Sequence, residues 1–280
     1  MGIKDYLDLI RVKNCLIASL GAAIAGLIAS NFNVNMLDRI LLASLVVFFI
    51  CGFGNVINDI YDIDIDRINK PYRPLAAGRI SLKSARLFPW ILALAGLLLS
   101  LFNWICFIIA LINTLILYLY ARRFKRDKRI GNLLVAYLTG SVFLFGGASV
   151  GNIFITFILF LCAMLTTWAR EIVKDFEDME GDVKRGVISL PIKYGKRALY
   201  IALGLLILGV ILSPLPYFIG IFNFLYLIGV ILCDVLLIYS ILKLLKNPTR
   251  EGAHRCAKEI KIVTSFILIS FILGAIFRTV

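Results

Sequence analysis

The chain has 280 residues, 61% of them hydrophobic and 17% charged, with a mean hydropathy of +0.93 and a formal net charge of +13. A water-soluble domain of this length is far more polar, so a soluble globular fold is excluded. Nucleic acid is not the reading of the positive charge either, because the Lys and Arg residues fall in short blocks between long apolar runs.

The apolar runs are roughly 17 to 25 residues long, the length that crosses ~30 Å of hydrocarbon as a helix. In lipid the backbone must satisfy its own hydrogen bonds, so such runs are helical. The ten-residue alternation of a transmembrane barrel is missing. The fold class is therefore an all-α membrane protein, a single transmembrane domain over 1–280. About nine spans are expected near 14–30, 37–57, 87–102, 104–120, 131–149, 152–170, 198–213, 218–243 and 261–278. The first reads as a retained span, since it runs into a bundle of similar segments without a small-residue cleavage site.

Basic residues fall in the N-terminal segment (Lys4, Arg11, Lys13) and then in every second loop, near 58–86, 121–130, 170–197 and 243–261. Of the 30 Lys and Arg residues, only Arg39 and Arg278 lie elsewhere. The positive-inside rule places the N-terminus and these four loops on the cytoplasmic side of the cell membrane and the C-terminus outside, which an odd number of spans requires. The outer connections are short: 31–37, a turn near Asn103, Gly151-Asn152, and 213–216. The inner loops at 58–86 and 170–197 are longer and chemically dense, so function is sought there. No heptad pattern or long soluble segment points to an obligate protein partner. Membrane lipid is the surrounding medium.

The six Cys residues are scattered without metal-type spacing and read as small packing residues. His254, the single His, reads as a solvated loop residue. Asp234 lies inside an apolar span, where an acid is costly and is a functional candidate by default. A structural pair or a protonated acid explains it equally well.

More than half of the 17 acidic residues fall in two short segments, 58–67 and 174–182. Each places Asp at i, i+3 and i+7: Asp59, Asp62 and Asp66, then Asp175, Asp178 and Asp182. At ~100° per residue the three carboxylates share one helix face, joined four residues earlier by Asn55 and Glu171. Asp64, Glu177 and Glu180 point elsewhere. Each segment follows a span ending on the cytoplasmic side and precedes basic residues and a Pro, which suggests an internal pseudo-repeat with two acidic faces turned to one cavity. Converging carboxylates repel one another until cations neutralise them. An oxygen-only donor set without His or Cys favours a hard cation such as Mg²⁺, held by a few carboxylates and by substrate phosphate oxygens. Nearby Lys and Arg would take the remaining phosphate charge. The bland alternative is that the acids only pair with the basic loops. A cation transporter is a further alternative, but its site belongs near the bilayer midplane. Both acidic segments lie at one membrane edge.

At these residues the chain resembles the intramembrane prenyltransferases of the UbiA superfamily. Asn58, Asp59, Asp62 and Asp66 match the family's N-D-x-x-D-x-x-x-D motif, and Asp175, Asp178 and Asp182 match its second aspartate-rich motif. The resemblance implies a bundle of about nine helices around a central lipid-open cavity. It also implies that the six aspartates bind Mg²⁺ and act in catalysis on a polyprenyl diphosphate donor. Diphosphate departs and a nucleophile on the acceptor attacks the allylic carbon. Tyr118 and Lys125 look like the family's Tyr and Lys near the fourth span, and Arg11 and Asn14 look like its acceptor-side positions. Asn55, Asn58, Arg67, Arg73, Arg170, Glu171 and Lys174 complete the expected substrate-binding set. Among acceptors, the segments Arg170–Asp182 and Leu9–Cys15 look most like the branch that alkylates the hydroxyl of geranylgeranylglyceryl phosphate in archaeal ether-lipid synthesis. That acceptor is a lipid phosphate, which the surplus of cytoplasmic Lys and Arg suits. Aromatic and porphyrin-type acceptors remain the alternative.

Overall fold

The computed structural model describes residues 2–276. Among them the regular structure is helical: α1 Ile3–Ile10, α2 Val12–Ala29, α3 Leu37–Tyr61, α4 Ile63–Asn69, α5 Leu82–Ser100, α6 Trp104–Leu119, α7 Lys128–Ser149, α8 Ile153–Lys184, α9 Leu190–Tyr194, α10 Arg197–Leu212, α11 Leu215–Phe218, α12 Phe224–Lys246 and α13 Arg250–Ile276. A 3₁₀ turn at Val34–Met36 leads into α3, and a π turn at Tyr120–Phe124 ends α6.

Eight helices among the described residues are long and apolar enough to cross a membrane. They coincide with the first eight expected spans, and α13 covers most of the ninth. The end of that span, with Arg278, lies outside the described residues. Two expectations need correction. The eighth span begins at Phe224 rather than 218, because Gly220 takes a left-handed φ of 74° and the Asn223 side chain accepts from Leu225 N and Tyr226 N to start the helix. His254 sits on α13 rather than in a loop, its Nδ1 2.8 Å from Glu177 Oε1 on α8.

Polar caps mark where chain leaves helix. Asn103 accepts from Ile105 N and Cys106 N at the start of α6, and Ser81 accepts from Ser84 N at the start of α5. At 32 residues α8 runs about 48 Å by the 1.5 Å rise per residue, well beyond ~30 Å of hydrocarbon. Its surplus turns carry the second aspartate motif on the same continuous helix as the span.

The described residues form two compact units: residues 2–123 with 142–153, and residues 124–141 with 154–276. In the first, α3 packs against α2, α5 and α6. Small residues let backbones approach there: a Cβ on Gly146 would lie 2.9 Å from the Gly26 nitrogen. Phe53, Val56, Leu75 and Ile80 build one core, and Val46, Cys106 and Phe145 another. In the second unit α12 packs against α10 and α13, around Ile172, Leu199, Leu206, Ile241 and Ile260. Leu and Ile side chains such as Leu16, Ile17, Leu208, Ile211, Leu232 and Leu236 are exposed, as lipid-facing positions are. Cys15, Cys106, Cys233 and Cys256 are buried free thiols.

Candidate active site

Asp59 occupies the last turn of α3, and Asp66 lies seven residues on, in α4. The helix breaks between them at Asp62 (φ −98°, ψ 1°), so the triplet does not ride one uninterrupted helix as its spacing suggests. Asp is a weak helix-interior residue, which makes this a natural breakpoint. The register survives, since Asp62 N donates to Asn58 O (3.0 Å) and Asp66 N to Asp62 O (2.8 Å). Asp59 and Asp66 are therefore still on one face, and both are buried, at 2% and 5% exposure. Asp62 is half-buried.

Two buried carboxylates need positive partners. Arg73 Nη1 donates to Asp59 Oδ1 (3.0 Å) and to Asp66 Oδ2, and Arg11 Nη2 donates to Asp59 Oδ1. Arg73 is carried by a loop whose Leu75 and Ile80 insert into the core. The loop is tied back to α1 by Arg79, which bonds Tyr72 O (3.0 Å) and Asp5 Oδ1 (3.0 Å). Arg11 joins α1 to α2 with a left-handed backbone, φ 55° and ψ 63°. That conformation is uncommon for a residue with a side chain and persists where its surroundings hold it. Here the ion pair to Asp59 is part of that hold. Asn55, expected at the substrate, donates to Ile10 O (2.8 Å) and so fastens the end of α1. Asn58 presents a buried Oδ1 with no hydrogen-bond partner beside these acids.

The second unit repeats the arrangement on α8. Asp175 and Asp182, 2% and 5% exposed, share one cation: Lys128 Nζ lies 2.9 Å from Asp175 Oδ1 and 2.6 Å from Asp182 Oδ2. Asn132 Nδ2 donates to the other Asp175 oxygen at 2.7 Å. Asp178, like Asp62, is half-buried. Lys128 and Asn132 start α7, where Asp127 binds Arg129 through its side-chain guanidinium and its backbone N–H. The Arg129 guanidinium holds the Asp127 carboxyl below its ordinary range.

The other expected residues are placed differently. Arg67 pairs with Asp64 at 3.4 Å on the exposed side of α4. Arg170 bonds its neighbour Glu171 at 2.7 Å, and the Arg170 Nε is buried without a partner. Lys174 and Asn14 are exposed, and Lys125 is half-buried between the π turn and α7. Tyr118 packs its ring against Tyr61 and Trp90 and accepts from Arg122 Nη1 at 3.3 Å. Sequence reasoning missed Lys128 and Asn132. Asn132 carried the signal that singled out Asn14, an amide at the start of an apolar run that needs a partner. Asp234 is explained by local pairing. Ser213 Oγ donates to it at 2.5 Å, and Tyr226 Oη donates to the Ser213 carbonyl, beside a water-sized cavity of about 20 Å³.

The donor set fits a hard cation. It is all oxygen, and in each unit it is a pair of buried carboxylates. Among the described residues no three His, Cys, Asp or Glu side chains converge into a cage. A pair rather than a cage suits Mg²⁺, which takes one or two carboxylates and fills its octahedron with water and phosphate oxygens. The unpartnered Asn58 oxygen is a further neutral donor of the right kind.

The model of the UbiA prenyltransferase family matches residues 19–269. The digeranylgeranylglyceryl phosphate synthase of Methanococcus aeolicus is 60% identical over 274 residues, covering 98% of each chain. A solved structure of a digeranylgeranylglyceryl phosphate synthase superposes with a TM-score of 0.92 at 57% identity, covering 98% of each chain. A UbiA homologue from Archaeoglobus fulgidus bound to GPP and Mg²⁺ shares the fold, with a TM-score of 0.65 at 20% identity over 97% of this chain and 99% of its own. The chain belongs to the UbiA prenyltransferase family and is a multi-pass, all-helical membrane enzyme of prenyl transfer.

Proposed function

We propose that this enzyme transfers a geranylgeranyl group from geranylgeranyl diphosphate to the free hydroxyl of geranylgeranylglyceryl phosphate. The allylic C–O bond to diphosphate breaks with its electron pair leaving on diphosphate, the glyceryl oxygen bonds the allylic carbon, and the hydroxyl proton is released. The observation that carries the acceptor is likeness over nearly the whole chain, at 60% identity, to a relative named for the product of this reaction. The chemistry rests on the two buried aspartate pairs with their basic partners.

Asp59 and Asp66, with Asn58, and Asp175 with Asp182 would hold Mg²⁺ in this reading. The half-buried Asp62 and Asp178 lie one turn away from each pair. When bound, Mg²⁺ supplies charge that stabilises the departing diphosphate. The protein's own part is to fix the carboxylates, to offer Arg and Lys donors to phosphate oxygens, and to keep water away from an allylic carbon that would otherwise be hydrolysed. Placing the site at the cytoplasmic face of the cell membrane follows from the charge of the loops. In membranes stripped with EDTA, transfer of labelled geranylgeranyl is expected to fall to background and to return with added Mg²⁺. Full activity in EDTA would remove the metal from this reading.

A further inference from the structure

Lys128 is the one basic side chain bridging the second aspartate pair among the ion pairs of the described residues. Its place is set by backbone as well as by charge. Lys128 N donates to Ile188 O (2.8 Å) and Ile188 N donates to Arg126 O (2.9 Å), a short parallel bridge that fastens the segment after α8 to the start of α7. Its ammonium therefore reaches Asp175 and Asp182 from an anchored backbone. Asn132, one turn on, fixes the second oxygen of Asp175 so that Oδ1 faces Lys128. Taken by side chain alone, Lys128 is 23% exposed and the two aspartates 4% and 7%, so the cation has somewhere to go and the acids do not.

We infer that Lys128 is an exchangeable counter-cation: it neutralises Asp175 and Asp182, competes with a divalent cation for them, and moves its charge to a diphosphate oxygen when the donor binds. This rests on the proposed metal role of the second motif. A lysine is suited to such exchange. Its ammonium is a compact charge on a flexible stem, without the planar fork that locks an arginine onto one carboxylate. Asn132 keeps Asp175 oriented during the exchange, as a positioning residue.

The test uses the purified full-length protein in detergent, with Mn²⁺ alone as the probe, read by electron paramagnetic resonance. In K128M the metal-free protein should melt lower, because two buried carboxylates lose their cation, while the loss of a competing unit charge within 3 Å should tighten Mn²⁺ binding by roughly tenfold and let Mn²⁺ restore the melt. The same variant should raise the KM for geranylgeranyl diphosphate by roughly tenfold, because a charged contact to the donor is lost. K128R, which keeps a cation, should return the Mn²⁺ affinity most of the way to the original. A lysine that only packs would leave both constants unmoved or weaken both. Mn²⁺ affinity unchanged or weaker in K128M, in a protein that still melts cooperatively, overturns the counter-cation. Tighter Mn²⁺ with an unchanged KM overturns the transfer of charge to diphosphate. Failure of the underlying reading looks different: Asp175→Asn would then leave Mn²⁺ binding unaltered in an otherwise native background.

Discussion

Asp59→Asn and Asp175→Asn are each expected to lower kcat/KM for prenyl transfer by at least about 10³-fold, near 4 kcal/mol of transition-state stabilisation. Both substitutions keep the shape of the side chain and remove one anionic oxygen from a buried pair. The remaining acid of the pair, Asp66 or Asp182, cannot alone hold a divalent cation against the basic residue beside it. The fold should survive. Arg11 and Arg73 are 30% and 16% exposed and can turn to solvent, and Asn132 can still donate to the amide oxygen that replaces the Asp175 carboxylate. The check is a rate assay alongside a thermal melt of the same preparation. An active Asp59→Asn or Asp175→Asn would remove that aspartate from the chemistry.

Arg73→Leu should act first on stability. It leaves Asp59 and Asp66, both nearly buried, with one basic partner fewer, and breaking a buried ion pair from one side costs roughly 3–5 kcal/mol. Arg11 reaches only Asp59, so Asp66 would be left without a cation among the ion pairs of the described residues. Loss of the folded state at moderate temperature is the expected result, with activity lost in parallel. Arg73→Lys should keep most of the stability. A single Arg73 nitrogen makes both contacts, and Lys128 in the second unit bridges an i, i+7 aspartate pair with one ammonium. A thermal melt comparing the two variants decides it. If Arg73→Leu melts within a degree or two of the original protein, the pair is not held by Arg73 in the way described.

How much of this was legible beforehand follows from which forces are local. Span positions were readable because the bilayer demands long apolar helices whatever their neighbours are. The errors lay at ends, where a few residues decide: Asn223 and Gly220 set the start of α12. The aspartate faces were readable from spacing alone, because i and i+7 share a helix face even across the break at Asp62. The cations were harder. Lys125 and Lys128 stand three residues apart in one basic loop, and spacing cannot say which one reaches Asp175. The pairing of Ile188 with residues 126 and 128, a contact between distant segments, settles it. Arg11 is expected on the acceptor side, and its left-handed turn, which spacing does not show, brings it to Asp59. Asn55, expected on the aspartate face, also fastens the end of α1, a contact that spacing does not show.

The most direct measurement offers labelled geranylgeranyl diphosphate and Mg²⁺ to membranes containing this enzyme. One sample receives geranylgeranylglyceryl phosphate, and a parallel sample receives 4-hydroxybenzoate or homogentisate. Labelled lipid product with the glyceryl phosphate alone is the predicted result. Product with an aromatic acid alone would keep the family and the metal chemistry and contradict the acceptor assigned here.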